Sequence, residues 1–301
     1  MSIAREETGF LPAKFRQQAA DGDRSRRARL TIVLLALLLV ATALYSLASG
    51  ASDASASAVL ADWLFGGGDT ALSARDRIIV YDIRMPRVVM GILVGAALAV
   101  AGATMQGLFR NPLADPGIVG VSSGAALGAI SIIVLGGGVL APVVACLGIY
   151  GLPLAAFAGG LVTTMLLYRV ATRRGQTSIA TMLLAGIALA ALANAFSGML
   201  IYVADDRQLR DLTFWQLGSL GGSTWTKIAA AGPIIGIALA ASMLLARGLN
   251  GLALGEASAR HLGIPVQRMK NVAIVSVAAA AGASVAVSGG IGFVGIVVPH
   301  L

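Results

Sequence analysis

Few residues of this 301-residue chain have side chains that could serve acid–base, nucleophilic or metal chemistry. There are fourteen Asp and Glu, two His and one Cys. Cys146 stands alone, which excludes an intrachain disulfide, and no neighbouring residue gives it a metal-ligand spacing. His261 lies in a polar loop and His300 in the last motif before Leu301. We therefore expect neither an enzyme active site nor a bound metal in this chain.

The sequence also lacks the residues that would couple transport to an energy source within this chain. Ion-coupled carriers place Asp, Glu or His inside the membrane, and no Asp, Glu or His falls within an apolar run until His300. The phosphate-cradling motif GxxxxGK[ST] is absent, because Lys14, Lys227 and Lys270 each follow a residue other than Gly. An ion-coupled carrier or channel is therefore the disfavoured alternative, and any ATP would bind to another chain.

One charged segment has a defined local structure, the stretch LALGEASARHLGIP at residues 252–265. Glu256 and Arg260 stand at the favourable i, i+4 spacing, and Gly263 followed by Pro265 is typical of a helix end. This pattern predicts a short helix that could act as a stiff lever against a partner protein. A capped amphipathic helix lying on a membrane surface would show the same pattern, so both interpretations stay open.

The composition indicates that the solvent of this protein is the lipid bilayer. Hydrophobic residues make up 57% of the chain and charged residues 12%, about half the charged share of an average soluble domain. The formal net charge of +8 does not indicate nucleic acid, because no basic stripe with interleaved aromatic residues is present. The basic residues instead lie between apolar runs, where they carry information about topology.

Intervals without charge locate the membrane spans. Pro116–Tyr168 would be about 80 Å long as one helix, whereas the hydrocarbon core is about 30 Å thick. This interval must hold two spans, and Gly136–Gly138, Pro142 and Pro153 supply the break. The chain is therefore predicted to have seven spans, and an eighth begins near Ile291. The charge-free intervals that give these spans are Leu30–Ser52, Val88–Phe109, Pro116–Tyr168, Gly175–Ala204, Ile228–Ala246 and Asn271–Leu301.

The distribution of basic residues orients these spans. With the N-terminus in the cytoplasm, 15 of the 22 Lys and Arg lie on the cytoplasmic side, and this is the side where they are favoured. The main groups are Arg24, Arg26, Arg27 and Arg29, then Arg169, Arg173 and Arg174, then Arg247, Arg260, Arg268 and Lys270. We therefore predict a cytoplasmic tail over residues 1–29 and a transmembrane domain over residues 30–301.

Many of the 38 glycines stand at the GxxxG spacing, which lets helix backbones approach closely in lipid. The sets are Gly91 and Gly95, then Gly120, Gly124 and Gly128, then Gly232 and Gly236. Close helix packing is the expectation at each set. A smooth wall along a conduit, or a hinge, is the alternative.

The segment GEASARHLG at Gly255–Gly263 resembles the coupling motif of ABC importer permeases, in particular the FecCD-like, type II family that imports ferric siderophores, haem and cobalamin. The general motif is Glu-Ala-Ala, three residues and Gly; here Gly263 stands one residue later. Three further stretches agree with this family, in order along nearly the whole chain: IRMPR at Ile83–Arg87, MQGLFRNPLADPG at Met105–Gly117 with GVSSG at Gly120–Gly124, and GGIGFVGIVVPH at Gly289–His300.

The resemblance implies an all-α polytopic fold of ten transmembrane helices, of which seven to eight are visible, so that the chain is expected to be C-terminally truncated. It also implies a homodimer in the bacterial inner membrane, two ATPase subunits that bind ATP and Mg²⁺, and a periplasmic binding protein. By this resemblance the chain is a transport subunit without an ATPase site or a cofactor of its own, and nucleic acid is not a partner.

The same resemblance assigns roles to individual residues. Coupling to the ATPase falls on helices at about residues 251–268, through Gly255, Glu256, Ala257, Ser258, Arg260, His261 and Gly263. Arg84 and Arg87 match the periplasmic arginines that pair with acidic residues of the binding protein, and a cationic patch of this kind would steer an anionic partner. Anchoring of the helix end at the lipid headgroups is the alternative for these two arginines.

Two stretches are most similar to bacterial haem permeases: DDRQLRDLTFWQLGSL at Asp205–Leu220 and TSIATMLLAG at Thr177–Gly186. They imply haem as the transported substrate, with a ferric siderophore or cobalamin as the alternative. The pathway or gate would involve Thr177, Ser178, Thr181 and Met182, and Arg207 and Arg210 would meet the haem propionates at the mouth. Arg207 and Arg210 could instead form charge pairs in a solvated loop with Asp205, Asp206 or Asp211.

Overall fold

The computed structural model describes residues 25–49, 73–173 and 176–300. The chain divides into two compact units, Met1–Asp76 and Arg77–Leu301. In the first unit, helix α1 spans Ser25–Ala48 and exposes its apolar side chains along its whole length, as expected of a helix surrounded by lipid. Most of the predicted tail, residues 1–24, lies outside the described residues, as does Arg174.

The remaining described elements are almost all helical. A π-helical segment, Ile79–Arg84, joins the second and third helices, and one short antiparallel strand pair interrupts the helices. In chain order they are α2 (Ala74–Ile78), α3 (Met85–Phe109), α4 (Val121–Leu135), α5 (Ala141–Leu147), α6 (Gly151–Ala171), β1 (Thr172–Arg173), β2 (Gln176–Thr177), α7 (Ile179–Tyr202), α8 (Asp206–Leu217), α9 (Trp225–Leu244), α10 (Ala246–Ala253), α11 (Glu256–His261), α12 (Val266–Ser288) and α13 (Val294–Val297).

The predicted number of apolar spans is confirmed. Six described helical stretches are long and apolar enough to cross a membrane, and α4 is a shorter apolar helix. The interval Pro116–Tyr168 divides into α4 and α6, and turns, α5 and a 3-10 turn at Gly148–Tyr150 lie between them. The predicted eighth span is represented by α13 and a 3-10 turn at Val298–His300.

Helix α12 occupies the centre of the second unit. Of its most apolar stretch, 78% is buried, against 11 to 44% for the other long helices of this unit. It packs against α3, α4, α6 and α9, and most of its buried side chains are Ala, Ser or Val. These small side chains let four helices approach one axis, so α12 connects the two ends of the bundle through its core.

The prediction of close helix packing is confirmed for Gly124 and Gly128 but not for Gly95 and Gly236, while a Cβ on Gly232 would come within 3.8 Å of Leu93 on α3. A Cβ on Gly124 would overlap Thr163 and the carbonyl oxygen of Gly159, and a Cβ on Gly128 would overlap the carbonyl oxygen of Ala155, so α4 and α6 touch backbone to backbone. Cβ atoms on Gly95 and Gly236 would meet nothing within 4 Å in the described structure. Spacing alone does not say which helix face has a neighbour.

Candidate functional site

The two ends of the bundle carry different groups of predicted functional residues. Helix α3 is 25 residues long, about 37 Å, with Arg84 and Arg87 at its start and Arg110 just past its end. Arg110 lies beside Gly255, which immediately precedes α11. We call these the Arg87 end and the α11 end of the bundle.

The predicted short helix at the α11 end is confirmed. It begins at Glu256, and it ends in a left-handed Gly263 with φ +78°. The N–H of Gly263 donates to the carbonyl of Arg260 at 2.9 Å, and the N–H of Ile264 donates to the carbonyl of Ala259 at 3.1 Å. This pair of bonds is the Schellman ending, so the helix stops at a fixed place and forms a short, rigid element.

Helix α11 buries one face and exposes the other. Ala259 is fully buried and seats the helix on the bundle. Arg260 and His261 are exposed, and so are two large apolar side chains, Leu254 at 69% and Leu262 at 64%. The exposed face also includes Ala257, Ser258 and Gly263. Apolar side chains beside small and charged ones form a surface suited to a protein partner.

Glu256 has a different main partner from the one predicted. Arg260 approaches its Oε2 only to 3.8 Å, with 57% of the arginine side chain exposed. Lys270 of α12 donates to its Oε1 at 2.6 Å, with 4% of the lysine side chain exposed. The i, i+4 pair was predictable from spacing, whereas the Lys270 contact arises from the fold. Lys270, taken from the sequence only as a charge that orients the spans, is a buried structural cation.

The predicted gate residues lie at the same end but divide between core and surface. Thr177 is buried at the end of β2, and Met182 is 1% exposed within the main hydrophobic core. Ser178 and Thr181 are exposed. The hydroxyl of Ser178 accepts from the N–H of Thr181 at 3.3 Å and so caps α7. Of the four, only Ser178 and Thr181 present their side chains on an open face in this structure.

Thr177 is held by an unexpected set of polar contacts. Gln267 of α12 accepts from the Thr177 N–H at 3.0 Å and donates to its hydroxyl at 2.7 Å. Lys270 donates to the Thr177 carbonyl at 3.0 Å, and the hydroxyls of Thr172 and Thr177 lie 2.9 Å apart. The Glu256 carboxylate and the Thr177 backbone therefore share one ammonium group.

At the Arg87 end, the two predicted docking arginines differ in exposure. Arg87 is exposed, near Gly221, whereas Arg84 is 7% exposed at the end of the π-helical segment. The burial of Arg84 favours Arg87 as the group that a partner could reach.

The predicted loop around Arg207 and Arg210 is helix α8, so the interpretation as a solvated loop is wrong. Asp205 accepts from the N–H of Gln208 at 2.8 Å, and the Gln208 side chain accepts from the N–H of Asp205 at 3.0 Å, which is a capping box. Gln208 also donates to the carbonyl of Val134 at 3.1 Å and ties α8 to α4. Within the described residues, Arg207 and Arg210 are exposed and form no ion pair with Asp205, Asp206 or Asp211.

Comparison with known proteins gives consistent matches. The model of the FecCD transport family matches residues 36–301. A cobalamin import system permease protein of Halobacterium salinarum is 42% identical over 78% of this chain and 60% of its own length. A hemin transport system permease protein of Yersinia pestis is 45% identical over 73% of this chain and 64% of its own length. The chain thus spans less than two thirds of the length of these two relatives.

Two further matches cover more of the compared proteins. A vitamin B12 import system permease protein of Salmonella paratyphi A is 40% identical over 90% of this chain and 76% of its own length. A solved structure, described as an inward-facing conformation of a transporter of metal-chelate ABC type, superposes with a TM-score of 0.75 at 30% identity, covering 90% of this chain and 80% of that one.

Proposed function

The chain belongs to the FecCD transport family, and we propose from this that it is the permease subunit of an ABC importer that moves haem from a periplasmic binding protein into the cytoplasm. Helix α11 carries the proposal, because its buried Ala259 and paired Glu256 fix it to the bundle while its other face is open to a partner. A separate ATPase subunit would dock there through Glu256, Ala257, Ser258, Arg260 and His261, between Gly255 and Gly263. ATP and Mg²⁺ would bind to that subunit.

The assembly that we propose contains two copies of this chain, two ATPase subunits and one binding protein in the bacterial inner membrane. The N-terminus and α11 face the cytoplasm, and Arg87 faces the periplasm. The charge distribution supports this orientation, because most of the Lys and Arg then lie on the cytoplasmic side. The exposed side chains of Ser178 and Thr181 would line the pathway close to its cytoplasmic opening.

Haem is the proposed substrate because of the hemin permease relative and the exposed arginines of α8. Arg207 and Arg210 lie free of ion pairs in the described residues, so they could receive the two carboxylates of haem. Cobalamin is the second candidate, since two of the relatives named above are cobalamin or vitamin B12 permeases.

Uptake in proteoliposomes tests both the mechanism and the substrate. The permease, its ATPase subunit and its binding protein are reconstituted, and ATP-dependent uptake of haem, a ferric siderophore and cobalamin is compared. We expect haem uptake and haem-stimulated ATP hydrolysis. If only cobalamin is taken up, haem is rejected as the substrate. If an ion gradient drives uptake without ATP, the ABC importer mechanism is rejected.

A charge reversal at the coupling helix provides the matched test of mechanism. Glu256→Lys should reduce ATP-coupled uptake while leaving the binding protein docked at the Arg87 end, because the two ends are about 37 Å apart along α3. Arg169→Glu reverses an exposed charge in the last turn of α6, outside the predicted coupling region at residues 251–268, and serves as control. Unchanged uptake in Glu256→Lys would remove α11 from the coupling mechanism.

A further inference from the structure

Lys270 is a buried cation to which the family resemblance assigns no role. It lies in the second turn of α12, with 4% of its side chain exposed. An ammonium group taken out of water is strongly unfavourable unless charged and polar partners surround it. Its position therefore depends on the two groups that it contacts.

These two groups belong to separate segments of the chain. One is the carboxylate of Glu256 on α11, at 2.6 Å, and the other is the carbonyl of Thr177 on β2, at 3.0 Å. The ammonium group thus joins the proposed ATPase-docking helix to the strand that leads directly into α7. Glu256 is one third exposed, so this contact lies at the boundary between the docking surface and the core.

Gln267 reinforces the same junction from the preceding turn of α12. Its side chain accepts from the N–H of Thr177 and donates to the Thr177 hydroxyl and to Asn271. In the described parts of the chain, the hydrogen bonds between β2 and α12 come from Gln267 and Lys270. Of these two residues, Lys270 also holds α11.

We propose that Lys270 is a positioning residue that transmits movement of α11 to β2 and so to the first turn of α7, where Ser178 and Thr181 are exposed. This inference rests on the proposed importer function and deepens it. Helix α11 is joined to α12 by the short segment 262–265, so α12 follows α11 in any variant. The strand β2 has no such covalent link to α11: Gln267 and Lys270 join it to α12, and of these two only Lys270 also contacts α11. Loss of the ammonium group should therefore weaken the response of β2, while the Gln267 hydrogen bonds remain.

Lys270→Met is the informative variant. Met has an apolar side chain of similar length, and the released Glu256 carboxylate can be hydrated because it is partly exposed, so no uncompensated charge stays buried. Arg169→Met is the control, because Arg169 is an exposed cation in the last turn of α6, outside the predicted coupling region at residues 251–268. Both variants are assembled with the ATPase and the binding protein in proteoliposomes.

Uptake and ATP hydrolysis are measured in the same vesicles. In Lys270→Met we expect haem taken up per ATP to fall about tenfold, a typical size for a coupling between two sites, while hydrolysis stays within about twofold. Arg169→Met should behave as the unmodified protein. An unchanged ratio in Lys270→Met overturns the role of Lys270 and leaves the proposed function standing, whereas absence of ATP-driven uptake by the unmodified transporter overturns the proposed function.

A second readout follows α7 without relying on uptake. In a Cys146→Ser background, Thr181→Cys reports the exposure of the first turn of α7 through its alkylation rate. We expect ATP to change this rate in the assembled transporter and Lys270→Met to reduce the change strongly. If Lys270→Met does not accumulate, Lys270→Gln, which keeps a polar side chain at the buried position but removes the charge, is assayed in the same way. A response to ATP of undiminished size in the Lys270 variant contradicts the proposal.

Discussion

Lys270 and Glu256 form an ion pair with very unequal burial, since the ammonium group is 4% exposed and the carboxylate side chain 33%. Removing the carboxylate therefore leaves a buried cation without its counter-charge, whereas removing the cation leaves a carboxylate that water can reach. We expect Glu256→Ala to lower the free energy of unfolding by about 2 kcal/mol and Lys270→Met to change it by less than about 1 kcal/mol. Thermal unfolding of the purified protein in detergent measures both.

Arg260→Gln is the control for this pair, because Arg260 touches Glu256 only at 3.8 Å and is mostly exposed. Its effect on the free energy of unfolding should stay within about 0.5 kcal/mol. A loss in Lys270→Met as large as that in Glu256→Ala would contradict the burial argument.

The contact between α4 and α6 predicts an effect at Gly128. A side chain there would overlap the carbonyl oxygen of Ala155, and the two backbones would have to separate. We expect Gly128→Ala to destabilise the protein by about 1–3 kcal/mol. Gly95→Ala is the matched control, since a Cβ there meets nothing within 4 Å, and Ala favours helix. Thermal unfolding in detergent should show the two variants to differ in stability. Equal losses of stability would show that the GxxxG spacing alone determines where helices pack.

The different exposure of the two arginines predicts that Arg87 contributes most to docking of the binding protein. Arg87→Glu should weaken docking by about tenfold or more, with a reduced dependence on salt, because an exposed cation steers an anionic partner. Surface plasmon resonance with the permease in nanodiscs provides the measurement. Arg77→Glu, a second exposed arginine, serves as control. A similar loss of binding-protein affinity in the two variants would indicate that the overall positive charge of the surface attracts the partner, instead of a specific contact at Arg87.

The arginines of α8 predict a dependence on substrate charge. Arg207→Gln combined with Arg210→Gln should reduce uptake of haem by about tenfold, since each removes a charge-assisted partner for a propionate. Competition by haem dimethyl ester, which lacks both charges, should be equal in the variant and the unmodified transporter. A variant that still takes up haem at the original rate would place the propionates elsewhere.

The orientation of the bundle can be checked with cysteine labels. Asp206 is exposed in the first turn of α8, and the helix that follows α8 begins at Trp225, which donates to the carbonyl of Tyr81 near Arg84 at the Arg87 end. In a Cys146→Ser background, a membrane-impermeant maleimide should therefore label Asp206→Cys in intact spheroplasts. In a Cys146→Ser background, Ala257→Cys should react only after the membrane is permeabilised. The reverse labelling pattern would place the N-terminus in the periplasm.

Much of the helical architecture follows from local features of the sequence. The length of each apolar run, compared with the thickness of a bilayer, predicted the spans and the division of Pro116–Tyr168 into two. The motif around Gly263 predicted both α11 and the place where it ends. These predictions succeed because a transmembrane helix must satisfy its own backbone hydrogen bonds. The residues at and next to its ends therefore determine where it begins and ends.

The errors concern which side chains face a neighbour. The run of acidic and basic residues at Asp205–Arg210 indicated a solvated loop, but Asp205 and Gln208 form a capping box that starts helix α8. Gly95 has open space although its spacing matches that of Gly124. Helical spacing defines a face, but only the arrangement of the other helices decides what that face meets.

The sequence by itself determined that this is a polytopic membrane protein with a short capped helix at Glu256–His261, because composition, apolar length and helix-end chemistry are local properties. Only the tertiary structure decided that Lys270 is buried between Glu256 and Thr177. These residues come from three separate segments, and a long flexible side chain can pair with any of several acids until packing removes the water around it. The shared ammonium group is therefore a property of the fold.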